Sequence, residues 1–337
     1  MTVLLVGTGP MAQAYTAVLQ AQKVNLQVVG RTAQSVRAFS QATGLPAQEG
    51  GLATYLDRHD LATVDAVIVA LPIPSLAEAT ITLIEAGARR LLVEKPAGLT
   101  VEEIEQLARL AAQRGASVFV AYNRRFYASV EAARELIAAD GGATSFHFEF
   151  TELADRIVSP DKDTSVLRSW FLANSSHVVD LAFHLGGAPE AMLGEIAGTL
   201  AWHPAAAVFA GHGRTCGGAL FSYHADWSSA GRWGLDIRTR KRRLVLQPLE
   251  GLKIQDKSGF ALNDMALDDN LDKRYKPGLF RQVQAFLSSE PSRTALPDIA
   301  SHAEAVRRYF LPILHGGEVT EASRGDTSSR LRTTHGR

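Results

Sequence analysis

The chain has 337 residues, 46% hydrophobic and 21% charged, with 35 basic side chains against 35 acidic ones and so no formal net charge. That composition is ordinary for a globular protein. It lacks the basic footprint of a nucleic-acid binder, and no stretch reaches the roughly 18 consecutive apolar residues of a membrane span.

At about 100 to 200 residues per domain, the length predicts two domains. The opening segment MTVLLVGTGP has no basic leader, and its apolar run stops at glycine, which reads as a strand rather than a secretory signal. The single cysteine, Cys216, cannot form an internal disulfide, and a cytoplasmic location is expected. Beside Gly217 and Gly218, Cys216 reads as a small buried residue.

The runs VLLVG (3–7), LQVVG (26–30), AVIVAL (66–71), RLLVEK (90–95) and SVFVAY (117–122) alternate with helical patterns at roughly 10–21, 33–43, 75–87 and 101–114. Apolar runs buried on both faces and separated by helices predict an α/β fold with a parallel, doubly wound Rossmann sheet. Thr100 followed by Glu103 forms a capping-box pattern at the start of the last of these helices.

Beyond about residue 143 the pattern changes. SFHFEFTE, GGALFSYHADW, WGLDIRT and RRLVLQP alternate apolar and polar residues, as half-exposed antiparallel strands do. Helices are predicted at 168–185, at 277–289 and from Pro297 onward. The expected division is a doubly wound α/β domain over 1–121, an α+β domain with a largely antiparallel open sheet over 122–315, and a disordered tail over 316–337.

VGTGPMA places Gly7, Gly9 and Ala12 at G-x-G-x-x-A spacing between a strand and a helix. The first glycine allows a tight turn, the second lets the backbone approach a pyrophosphate, and the small third residue lets the helix pack closely. Thr8, Pro10 and Met11 complete this loop, whose helix N-terminus supplies amide donors. Strand two runs into Gly30, Arg31 and Thr32, where an NAD site ordinarily has a carboxylate for the ribose hydroxyl. Arg31 would instead bind a 2′-phosphate, so NADP(H) is expected, with NAD possible. Leu71 and Pro72, ending strand three, and Glu94 and Lys95, ending the next, fall at the carboxyl edge of the sheet where ligands bind.

Taken together, GTGPMA, VEKPAG, AYNRRF and SSHVVDLAFHLGG resemble the Gfo/Idh/MocA oxidoreductases over about residues 1 to 315. The resemblance implies a dinucleotide-binding Rossmann domain over 1–121, a substrate-binding and oligomerisation domain over 122–315, a nicotinamide cofactor, a sugar, polyol or related substrate, and a homodimer or homotetramer. It also implies that Lys95 and His177 are the acid/base residues, and that Asn123 and Arg124 line the nicotinamide and substrate pocket. Trp170, Asn174 and Asp180 share the face of His177 and join the expected substrate site; no metal site is expected. Arg156, Lys162 and Arg168 lie in a long charged loop that reads as a lid, either meeting an anionic substrate group or solvated. His184 reads as a helix-end histidine favoured by the dipole.

Two positions depart from the family pattern: Ala173 stands where an aspartate is common, and Leu76 where a histidine is. Three explanations stay open at this level. Asn174 or Asp180 takes over orienting the substrate; or the substrate is an imine or keto sugar that is reduced; or the protein is a noncatalytic ligand sensor.

Overall fold

The computed structural model describes residues 1–159, 162–288 and 295–320. Residues 321–337, the greater part of the expected tail, lie outside the described residues.

The first domain is a five-stranded parallel sheet in the order β2-β1-β3-β4-β5. Its strands are β1 (Thr2–Val6), β2 (Asn25–Val29), β3 (Ala66–Val69), β4 (Arg90–Glu94) and β5 (Ser117–Ala121). Helices α1 (Pro10–Ala21), α2 (Ala33–Thr43), α3 (Gly51–Leu56), α4 (Leu76–Glu85) and α5 (Val101–Arg114) connect them. The runs in β3 and β4 are buried because helices cover both faces of the sheet. Thr100 caps α5 through the amide of Glu103, and Gly115 ends it in the left-handed conformation. The strand order reverses between β1 and β3, the switch point at which open α/β sheets bind ligands.

The second domain is built on a nine-stranded sheet, β13-β12-β11-β10-β6-β9-β8-β7-β14. It contains β6 (Ser145–Glu149), β7 (Pro189–Ala197), β8 (Val208–Thr215), β9 (Leu220–Asp226), β10 (Gly234–Arg238), β11 (Arg242–Leu246), β12 (Lys253–Asp256), β13 (Asn263–Asp264) and β14 (Gly317–Val319). All its ladders are antiparallel except β6 with β9. Its helices are α6 (Ala128–Ala139), α7 (Ala154–Ile157), α8 (Thr164–Arg168), α9 (Ser176–Gly186), α10 (Asn270–Arg274), α11 (Leu279–Leu287), α12 (Ile299–Ala305) and α13 (Leu311–His315).

The aromatic face of β6 packs within the chain: Phe146 and Phe148 meet Phe183 of α9 edge-on at 6.0 and 5.6 Å. A side chain at position 186 would lie 2.3 Å from the Phe146 ring, so Gly186 lets α9 settle onto this sheet. The approach aims the start of α9 at the carboxyl edge of the first sheet.

Three sequence expectations are corrected. The chain returns to the first domain late: Leu279, Val283, Phe286 and Leu296 join Val3, Leu5 and Phe119 in one apolar cluster, and the Val120 amide donates to the Pro297 carbonyl at 2.9 Å. A linear division at 121 therefore omits α11 and α12, which help cover that sheet. The ordered chain also runs past 316, because Gly317–Val319 pairs with Met192–Gly194 at the sheet edge. Cys216 is exposed, in the turn between β8 and β9.

Candidate active site

At the switch point, Gly7 has φ +123°, and a Cβ there would fall 2.2 Å from the Ala70 carbonyl oxygen, so only glycine lets β1 and β3 close. Gly9 is different. Its backbone is extended, it caps α1 without any side-chain bond, and a Cβ on it would meet nothing within 4 Å. This is the open approach to a helix N-terminus that a pyrophosphate requires. The chain here fits a dinucleotide: Thr8, Pro10 and Met11 line the loop, with Leu71 and Pro72 across the switch point.

At the end of β2, a side chain on Gly30 would collide with Thr8 Cγ2 at 2.6 Å, so the position excludes a carboxylate. Arg31 is exposed and has no ion pair among the described residues. Thr32 instead caps α2, accepting from the Ser35 amide at 3.2 Å.

Lys95 leaves β4 toward the second domain, and its ammonium donates to the carbonyl of Ala173. Ala173 lies in a π-helical turn, Phe171–Ser175, that leads into α9; such widened turns expose backbone groups and recur at functional sites. The backbone of Ala173 thus holds the lysine. Burial lowers the Lys95 pKa to about 8, with Glu94 and Glu152 opposing the shift and Arg124 and Lys276 adding to it. Glu94 accepts from the Tyr15 hydroxyl at 2.8 Å, and burial raises its pKa.

His177 is buried edge-on against Tyr122, with ring centroids 5.6 Å apart. Its Nδ1 is sealed without a partner, whereas Nε2 keeps access to solvent. Burial, then the charges of Arg124, Lys95 and Lys276, hold its pKa well below the usual histidine value. At neutral pH it is an uncharged base.

The negative charge beside this pair comes from Glu152, just beyond β6, which the sequence reading did not single out. Its Oε1 accepts from Asn174 Nδ2 at 2.9 Å and from Ser175 Oγ at 2.7 Å. Burial raises its pKa, while those bonds and Lys95 favour the charged form. Asn174 accordingly holds a carboxylate in place.

Other expected substrate residues are engaged elsewhere. Asp180 forms a buried, two-pronged pair with Arg125, at 2.7 and 2.6 Å, and is not free to orient His177 or bind a metal. Trp170 carries the Lys162 ammonium 4.3 Å over its ring and meets Trp202 edge-on at 6.3 Å, which removes it as an open stacking platform. Asn123 is buried and donates to the Pro277 carbonyl at 2.9 Å, a bond that fixes the backbone around it. His184 is not a charged helix-end histidine: burial, with Arg125 adding, lowers its pKa to about 4.

Arg124 does face the site. Its guanidinium lies 4.6 Å over Trp233, whose ring is 6.4 Å from that of His177. Neither Trp233 nor Lys276 carries a local sequence signal; both arrive by folding from distant segments. Arg156 and Arg168 are exposed, and α8 packs against the segment after β3 at the rim of the cleft.

Residues 1–122 match the GFO_IDH_MocA family profile, an oxidoreductase family with an NAD-binding Rossmann fold. No curated protein matches the chain by sequence. Among solved structures it is similar to UDP-N-acetylglucosamine 3-dehydrogenase from Acidithiobacillus ferrooxidans, at 17% identity and TM-score 0.71, over 96% of this chain and 98% of that one. An oxidoreductase from Agrobacterium radiobacter in complex with NAD+, L-tartaric acid and magnesium is similar at 12% identity and TM-score 0.76, over 96% and 99%. Levoglucosan dehydrogenase in complex with NADH and levoglucosan is similar at 18% identity and TM-score 0.73, over 95% and 99%. At such identities the likeness is one of fold, and it spans both domains.

Proposed function

We propose that this chain, whose residues 1–122 form the NAD-binding domain of the Gfo/Idh/MocA oxidoreductases, is an NADP(H)-dependent oxidoreductase acting on a sugar, polyol or related small molecule. The observation that carries the reading is the meeting of Lys95 and His177 at the carboxyl edge of the first sheet, across from the open glycine loop. The bound nicotinamide would accept or supply the hydride.

The two side chains divide the proton work. Neutral His177, through its accessible Nε2, takes the hydroxyl proton when a carbinol is oxidised. Lys95, protonated at neutral pH but with a pKa near 8, donates a hydrogen bond to the same oxygen and is the better proton source in reduction. Glu152, held by Asn174 and Ser175, keeps a carboxylate beside Lys95, the charge that the Ala173 position lacks.

Support for NADP(H) is the exposed Arg31, which has no ion pair among the described residues, beside a strand end that has no room for a carboxylate. A second reading, dual use of NAD(H), is favoured by the NAD+ and NADH bound in two of the similar structures. For assembly we favour a homodimer or homotetramer through the outer sheet face, where His147, Ser222, His224 and Asp236 alternate with buried residues; light scattering that returned a monomer at micromolar concentration would overturn this.

The deciding experiment follows nicotinamide reduction by NAD+ and NADP+ across a panel of sugars and polyols, and reoxidation with keto sugars. Lys95→Met and His177→Ala should each lower kcat by about 10²- to 10⁴-fold while cofactor binding persists. Near-wild-type turnover in either variant would remove the assigned role, and tight sugar binding with no turnover in the parent would mark a sensor instead.

A further inference from the structure

We infer that the substrate is an anion, a carbohydrate bearing a carboxylate or a phosphoryl group, and that Arg124, backed by Trp233 and flanked by Lys276, receives its charge. This rests on the substrate site proposed above and deepens it. Elsewhere the partly buried arginines have partners of their own. Arg125 has Asp180, Arg281 has Glu131 and Asp272, Arg242 has Asp140, and Arg90 has the carbonyls of Phe286 and Ser288.

Arg124 has none. It forms no ion pair within 4.0 Å and no side-chain hydrogen bond with any described residue, and none of its nitrogens is sealed from solvent. Its planar face is taken by Trp233 at 4.6 Å, which leaves the edge, the five-donor fork, as the group still to be satisfied. A partly buried guanidinium with no partner in the protein is poised for an anion, and a carboxylate or phosphate matches its fork in two parallel bonds.

Lys276 strengthens the assignment from a separate segment. It immediately precedes Pro277, whose carbonyl binds the Asn123 side chain, so it is brought to the neighbour of Arg124. It too has no ion pair among the described residues. Glu250 and Glu152 act on Arg124, and Glu94 on Lys276, only from a distance: none of these carboxylates forms an ion pair with either cation among the described residues. A neutral polyol would leave the Arg124 fork without a charged acceptor.

The test titrates cofactor-saturated full-length protein with matched sets by calorimetry. D-glucose, D-glucuronate and D-glucose 6-phosphate form one set; galactose and its corresponding acid and phosphate form another. In at least one set the acid or the phosphate should bind about 10- to 100-fold tighter than its neutral parent, as charge-assisted hydrogen bonds predict. Which of the two does so identifies the charged group.

Arg124→Gln should erase most of that preference and Arg124→Lys should retain part of it. Lys276→Gln, at an exposed position that should not disturb folding, should reduce the preference more weakly. Anions that bind no better than neutral sugars, or an Arg124→Gln variant that weakens NADPH instead of the sugar, would overturn the inference while leaving the oxidoreductase reading intact. Failure of the protein to bind either nicotinamide cofactor would instead remove the reading beneath it.

Discussion

In the mechanism proposed above, Glu152 supplies the negative charge beside Lys95, and that charge sets a measurable property of the lysine. Burial lowers the lysine to about 8, and Glu152 opposes that shift. If Lys95 is the proton source proposed for reduction, its ammonium is present below its pKa, and kcat/KM for a keto sugar should fall as pH rises through about 8. In Glu152→Gln the supporting negative charge is gone, the ammonium is less favoured, and the fall should begin at lower pH. A midpoint that does not move between the two pH profiles would remove Glu152 from the proton chemistry. Lys95, His177 and the glycines were legible in the sequence because each sits in a short motif whose neighbours define its place. Glu152 was not, since the groups that hold it, Asn174 and Ser175, lie 22 and 23 residues away and become its partners only when β6 and the π-helical turn meet. Asp180 was misread for the same reason: its spacing puts it on the His177 face, but the guanidinium that claims it is 55 residues upstream.

The strand–turn–helix that follows β1 allows the two glycines to be separated by experiment. A Cβ at position 7 would meet the Ala70 carbonyl at 2.2 Å in a backbone of φ +123°, whereas at position 9 it would meet nothing within 4 Å in an extended backbone. Gly7→Ala should therefore cost about 1–3 kcal/mol or more of stability through strain alone. Gly9→Ala should stay within about 0.5 kcal/mol of the parent yet bind NADPH severalfold more weakly, because the methyl occupies the approach to the α1 N-terminus. Urea melts with and without cofactor measure both effects, and a Gly9→Ala protein that bound NADPH normally would sink the placement of the pyrophosphate. The same contrast explains which elements were readable. The five parallel strands and four of their helices follow from periodicity, since each run is buried on both faces or along one stripe. The return of α11 and α12 to the first sheet leaves no such mark, because an amphipathic helix shows that it has an apolar face and not which core that face joins.

Across the whole molecule, buried imidazoles make the fold sensitive to acid. His302 of α12 bonds through Nε2 to the carbonyl of Pro96, the residue after Lys95, at 3.0 Å. Burial lowers its pKa to about 4, with the Pro96 bond and Asp180 opposing and Arg125 assisting. His184 is lowered to about 4 and His177 is lowered as well. Unfolded histidines titrate near 6.5. Between about 6.5 and 4 the unfolded chain binds protons that these folded sites refuse, so each contributes stability that is present above 6.5 and is lost as pH falls through that window. Buried Glu94 and Glu152, whose folded pKa values are raised, act in the opposite sense, so the histidine contribution is best isolated by difference. His302→Gln places an amide donor where Nε2 donates to Pro96 but cannot titrate. Its unfolding free energy, measured by denaturant titration across the window, should therefore fall less steeply on acidification than that of the parent, by a slope equivalent to about one proton. Parallel curves for the two proteins would mean that the imidazole is protonated in the folded state, and the neutral-histidine account of this acid sensitivity would fail.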